Sequence, residues 1–427
     1  MGALRPADEF AGRSHHGTPR RGSGRQDSPG LRQPLRDTMP SDMPWKRAPI
    51  RCNPRAGRGA TTALLLALCF VAATPALCAQ DPTFPLQDLF TGASTPSSFP
   101  AEFQSVGGLI FLRAASSGEG VELRVGDPTG LQLVRDIAPG VLGAGVTDLV
   151  PMNGLLFFRA AEADHGAEVW RSDGTTPGTF LLKDIVLGSG GSSPGDLVVS
   201  GSRLFFRADD GAAGEELWVS DGTAAGTALL GDLRPGPQGS NPRDLTPFAG
   251  GVIFSADDGV NGRELWFSDG ISVNLVSDIA SGPSSSGPTG FVVVGNEVFF
   301  SADDGVQGPE LWRSDGTAAG TVLAADVFPG PSGSFPGSLA ALGTHLLFEA
   351  TDGVVGFELW SYDLVAGQAT LVKDIRSGMA GSFPSELTLS GGVMFFSAAD
   401  GVAGSELWMT DGTPAGTQLV ADINPGP

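Results

Sequence analysis

The chain is expected to be all-β, a β-propeller of four-stranded blades, and three observations predict it. First, a tripeptide of the type Glu-Leu-Trp returns at a near-constant step. Its third residue falls at 124, 170, 218, 266, 312, 360 and 408, so every step is 46 or 48 residues. Second, each period holds four short apolar runs separated by turn residues, with no helical periodicity inside it. Third, glycine (63) and proline (32) are abundant and charged residues are only 17%, which suits short strands joined by tight turns. Hydrophobic residues make up 41% and recur in register, which argues against disorder. A β-sandwich has no reason to repeat so regularly, and a parallel β-helix needs a much shorter coil.

Taken in order, residues 1–42 are rich in Arg, Pro, Gly and Ser without periodicity, and read as a disordered leader or as sequence upstream of the true start. Residues 43–79 carry the pattern of a secretory signal peptide. Lys46, Arg47, Arg51, Arg55 and Arg58 precede an apolar core from Ala63 to Ala73, with small residues Ala76, Cys78 and Ala79 at the candidate cleavage site. The apolar run is short for a membrane span, so no stable span is expected after cleavage. All three cysteines (Cys52, Cys69, Cys78) fall in this leader, so no disulfide framework is expected in the remainder. Residues 80–427 form the repeat domain. They hold 14 basic and 42 acidic residues, a formal charge of −28, and Lys183 and Lys373 are their only lysines. A surface this acidic repels phosphate backbones, which excludes nucleic acid as a partner.

One repeat shows the grammar. Asp196 to Val199 is a first strand, Leu204 to Arg207 a second, Glu216 to Ser220 a third and Thr227 to Leu233 a fourth. Asp221-Gly222 and Pro235-Gly236 supply turns. The fourth-strand signal, Asp followed by Ile, Leu or Val, occurs eight times (Asp88, Asp136, Asp184, Asp232, Asp278, Asp326, Asp374 and Asp422), whereas the third-strand signal occurs seven times. Leu86 to Leu89 therefore reads as an orphan fourth strand, and a seven- or eight-bladed ring is left open. The halt at Asn424-Pro425-Gly426-Pro427, in mid-pattern, predicts further sequence beyond it. The repeated tryptophans are expected to form inter-blade core.

The run Glu-Leu-Trp-x-Ser-Asp-Gly-Thr-x-x-Gly-Thr resembles the ELWxxDGT repeat family of bacterial secreted proteins, over residues 85–427. The resemblance implies an extracytoplasmic, propeller-like array, and it brings no established activity with it. Arg124 departs from the pattern where Trp belongs, Gly270-Ile271-Ser272 lacks the Gly-Thr insert, and Ser361-Tyr362-Asp363-Leu364 loses Asp-Gly-Thr.

Blade topology places the loops from strand two to three, and from strand four to the next blade, on one face. These loops are long and carry the unusual residues, so that face is the expected binding face. On it an acid sits six places before the motif glutamate: Asp210/Glu216, Asp258/Glu264, Asp304/Glu310, Asp352/Glu358 and Asp400/Glu406. Two readings stand. Paired carboxylates beside glycine-rich carbonyls suit a hard cation such as Ca2+. Alternatively, the aspartates accept from loop amides and the glutamates reach a neighbouring blade. Catalytic signals are sparse, since His165 and His345 do not repeat and no nucleophile or zinc spacing accompanies them. The expected function is a secreted or surface-displayed binding or scaffolding module for an extracellular protein or glycan. The alternative is a propeller enzyme acting on extracellular polysaccharide, which requires a cluster of polar residues that breaks the repeat.

Overall fold

A computed structural model of the chain describes residues 97–423. The leader, signal peptide and orphan fourth strand expected from the sequence at 1–42, 43–79 and 86–89 lie outside the described residues. Among those described there are 28 strands and no helix. The strands form seven four-stranded antiparallel sheets, each a meander in chain order, spanning 101–133, 147–181, 195–229, 243–277, 289–325, 337–373 and 385–421. These are the blades of a β-propeller, numbered here one to seven.

Blade three illustrates why this sequence folds so. Its strands are Gly195–Ser200, Arg203–Asp209, Glu215–Ser220 and Ala228–Leu229. Alternation sends Leu204, Phe206, Ala208 and Trp218 to one side, against blade two, and Phe205 and Leu217 to the other, against blade four. Both faces of a blade are covered, so its middle strands are apolar on both sides. The fourth strand is shorter than the 227–233 the sequence suggested. Leu230 still donates to Leu217 O (3.0 Å), but the chain then leaves the ladder, and the Arg234 amide is bonded to the Glu216 side chain instead.

The first strands of successive blades lie side by side from blade one to blade seven and make the inner edge of the array. Six hydrophobic clusters fill the six seams between consecutive blades. Trp170, Trp218, Trp266, Trp360 and Trp408 are buried in these seams, as expected for inter-blade core, whereas Trp312 is only half-buried. The scarce cations serve the same seams. Arg135 lies 5.3 Å over Trp170, and Lys183 and Lys373 lie 5.8 Å over Trp218 and Trp408. Each also donates to the next blade, to Thr179 O, Thr227 O and Thr417 O. The domain's two lysines are thus inter-blade pins.

The outer ends differ. Arg124 occupies the tryptophan position of blade one, only 4% exposed, and is bonded to Glu119 at 2.7 Å. In blade seven Phe395 and Leu407 are part-exposed, whereas Phe205 and Leu217 at the same repeat positions are fully buried.

Candidate functional site at the inner rim

The motif glutamate is a clasp between each blade and the linker leaving it. Glu216 is fully buried and accepts from the Ser240 amide (2.8 Å), the Arg234 amide (3.3 Å) and the Ser240 hydroxyl. Glu168, Glu264, Glu310 and Glu358 do the same with linker amides and with the hydroxyls of Ser192, Ser286, Ser334 and Ser382. Burial raises the pKa of Glu168, Glu216, Glu264, Glu310 and Glu358, and these hydrogen bonds oppose the rise. Glu122 is the exception. Ala144 stands where the serine belongs, so one buried carboxylate oxygen has no partner and burial pushes the group up to about 7.

The rest of the motif satisfies itself on the opposite face. Asp221 Oδ1 accepts from the Thr223 amide (2.8 Å) and hydroxyl (2.7 Å), Ser220 and Thr227 share a hydroxyl bond (2.8 Å), and Thr227 donates back to Thr223 O (2.7 Å). Gly226 is required there, because a Cβ would stand 2.2 Å from the Asp221 carboxyl carbon. Tyr362 replaces the loop serine in blade six and is a core residue, 5.6 Å from Phe299.

The five acid pairs divide their labour. Asp210 Oδ1 accepts from the Ala212 and Ala213 amides, both at 2.8 Å, capping its own loop. Asp258, Asp304, Asp352 and Asp400 cap theirs in the same way. Glu216 pairs across the hairpin with Ala208, so Asp210 lies beyond the ladder rather than opposite it. Like charge reaches the motif glutamates from the fourth-strand aspartates instead: Asp184 for Glu168, Asp326 for Glu310 and Asp374 for Glu358. Among the described residues no three His, Cys, Asp or Glu side chains gather into a metal-sized group. Glu406 is held by the Ile423 amide at 2.8 Å. His165 bonds Glu162 in blade two (2.6 Å) and His345 approaches Ser361 in blade six (3.3 Å), so the two histidines do not meet.

The repeat is broken along the inner rim of the face carrying the long loops. Every first strand has a β-bulge near its start, at which one residue takes a left-handed conformation: Glu102, Asp148, Asp196, Asp244, Gly290, Ser338 and Glu386. Five of the seven are acidic. Three residues earlier a second left-handed position is Phe99, Phe335 or Phe383 in blades one, six and seven, where the other blades have Gly, Ser or Asn. A bulky residue at positive φ is strained, and such strain gathers at functional sites. These phenylalanines are 72%, 52% and 53% exposed. The second strand adds Arg113, Arg159 and Arg207 in blades one to three, then Ser255, Ser301, Glu349 and Ser397 at the same position.

Between blades three and four these groups neutralise one another. Arg207 bonds Asp196 (3.0 Å) and Glu215, and Arg243 bonds the other oxygen of Glu215 (3.1 Å). A recess of about 360 Å³ continues along the inner edge, bounded by Asp244, Thr246, Gly290, Val292 and Ser338. The bulge acids at 102, 148, 196, 244 and 386 were missed in the sequence, although their recurrence with the period is the signal that marks them. The Arg207, Glu215 and Arg243 cluster was not visible, because its members come from three strands of two blades.

The fold and this rim define a β-propeller repeat protein. No known family profile matches the chain, and no curated protein does. Among solved structures it is similar to a puromycin-hydrolyzing peptidase of Mycobacterium tuberculosis, at 12% identity and a TM-score of 0.42 over 78% of this chain and 53% of that one. It is also similar to a structure from a study of two prolyl endopeptidases (11%, 0.45, 76% and 49%). A third likeness is to the GH74 xyloglucanase of Xanthomonas campestris (16%, 0.39, 71% and 50%). The chain spans about half the length of each, and at these identities the likeness concerns the fold alone.

Proposed function

We propose that the protein is an extracytoplasmic binding module whose ligand, an extracellular glycan or protein, engages the inner rim on the long-loop face. The observation that carries this reading is the division between repeated and unrepeated residues. Tryptophans, motif glutamates and loop aspartates recur from blade to blade and are spent on packing and on satisfying backbone groups. At the rim, equivalent backbone positions instead carry Arg, Ser or Glu, and Phe, Gly, Ser or Asn. Exposed aromatic faces and half-paired charges on rigid strand ends suit recognition, because little order must be imposed on binding.

The test is capture by the full chain on arrays of extracellular glycans and secreted proteins, beside a rim variant carrying Arg159→Ala and Phe335→Ala. The reading expects a ligand whose capture falls in the variant while the melting temperature holds. Capture equal in both would overturn it. Release of reducing ends from a bound polysaccharide would favour the enzyme alternative.

A further inference from the structure

One stretch of the rim, where blade six meets the linker to blade seven, departs from all the others. Glu349 stands where blades one to three have arginine. A Cβ added to Gly337 would lie 3.3 Å from its Oε2, so the carboxylate reaches over the start of the inner strand. It is half-buried, and among the described residues it has neither a hydrogen-bond nor an ion-pair partner. Burial alone raises its pKa. Glu349 pairs with Leu359 across the sheet, and Phe357, immediately before the first strand residue Glu358, holds the repeat position from which Glu215 bonds Arg207 in blade three. Phe357 in turn stacks on Phe383 of the next linker, with ring centroids 5.7 Å apart and planes at 25°. The Phe383 amide donates to Phe357 O (3.1 Å), which ties the two backbones together beneath the exposed second ring.

A carboxylate without a cation, at the repeat position next to that of Phe357 and its stacked partner Phe383, in a domain with a formal charge of −28, is complementary to an organic ammonium group. We infer that this stretch of the rim, Glu349, Phe357 and Phe383 together, forms a crevice that binds the side-chain ammonium of a lysine on a partner protein. The four-carbon stem of lysine lies along the phenylalanine faces while its ammonium reaches the half-buried carboxylate. An amino sugar carries its nitrogen directly on a bulky ring and cannot thread in this way. The inference rests on the rim-binding reading and deepens it. If only the crevice fails, capture sensitive to Arg159→Ala and Phe335→Ala persists; if the whole reading fails, that sensitivity is absent too.

The experiment is a fluorine NMR titration of the full chain labelled with 4-fluorophenylalanine, the two signals being assigned through Phe357→Leu and Phe383→Leu. The probes are Nα-acetyl-lysine methylamide, its uncharged norleucine analogue and glucosamine. The expected result is saturable movement of both signals with the lysine probe, with the norleucine analogue and glucosamine about tenfold or more weaker. Glu349→Gln and the exposed-site variant Phe383→Ala should each weaken the lysine probe severalfold. Equal binding of lysine and norleucine probes, glucosamine bound more tightly than lysine, or an undiminished response in Glu349→Gln would each overturn the proposal. The three-probe comparison uses unmutated protein, so it stands even where a variant folds poorly.

Discussion

Blade six holds two glutamates on adjacent strands that live in opposite circumstances. Glu358, in the repeated motif, is fully buried, and its oxygens are taken by the Ile375 and Arg376 amides and the Ser382 hydroxyl. Glu349, at the rim, is half-buried with no partner among the described residues. One recurs in every blade as a clasp; the other appears once. The contrast teaches how a repeat protein can separate stability from recognition. Residues that every seam needs are multiplied with the repeat, and residues that touch a ligand are written into positions the seams can spare.

The contrast can be broken or sharpened by a graded series. The largest effect is expected at the seams. Trp218→Ala removes a buried indole between blades two and three and should cost roughly 3–5 kcal/mol in chemical denaturation. A cost below 1 kcal/mol would mean the seams are held by something other than their tryptophans.

Next come the clasps. Glu216→Ala strands the Ser240 and Arg234 amides and should cost about 1–3 kcal/mol, more than Glu122→Ala, whose clasp already lacks its hydroxyl. Conversely, Ala144→Ser should stabilise by about 1 kcal/mol by giving the unpaired Glu122 oxygen a donor. The pH dependence follows in sign. Glu122 is held above its ordinary value of 4.5, near 7, so the folded protein keeps this proton longer than the unfolded chain does. Its contribution is therefore most favourable below pH 4.5 and is lost as pH rises through about 7. Ala144→Ser, by bonding the charged form, should shrink that loss in melting curves recorded from pH 4.5 to 8. An unchanged slope would contradict the assignment.

How much of this was legible beforehand follows from distance along the chain. The period displays the blades, and the two-residue alternation of a strand puts Leu217 and Trp218 on opposite sides, because both are local signals. The clasp was half legible: Glu216 and the Gly-Ser of the next linker both recur, but their 24-residue separation gives no hint that they touch. Asp210 and Glu216 were paired by their spacing alone, yet the backbone turns one into its own loop and the other into the linker. The unrepeated part of the rim was illegible for the same reason, since Phe357 and Phe383 stack, and Glu349 takes its place near them, only when strands of one blade and the linker to the next come together.

Smaller effects are expected from calcium. An ion at the five acid pairs has to compete with the loop amides for each aspartate, with buried serine hydroxyls for Glu216, Glu264, Glu310 and Glu358, and with the Ile423 amide for Glu406. Millimolar calcium should therefore raise the melting temperature no further than sodium chloride at matched ionic strength. A larger, chelator-reversible rise would place calcium in these loops and reassign the aspartates as ligands.

The most direct test sets the two glutamates of blade six against each other. Urea denaturation of Glu358→Gln and Glu349→Gln, each beside the unaltered full chain, reads what each carboxylate contributes to stability. Glu358→Gln should lower the midpoint, by about 1–3 kcal/mol in stability, because it disrupts a satisfied buried network. Glu349→Gln should leave the midpoint unchanged or raise it, since it neutralises an unpartnered half-buried charge, and should weaken only the lysine probe. A midpoint that falls as far for Glu349→Gln as for Glu358→Gln, with lysine binding intact, would contradict the division between clasp and rim.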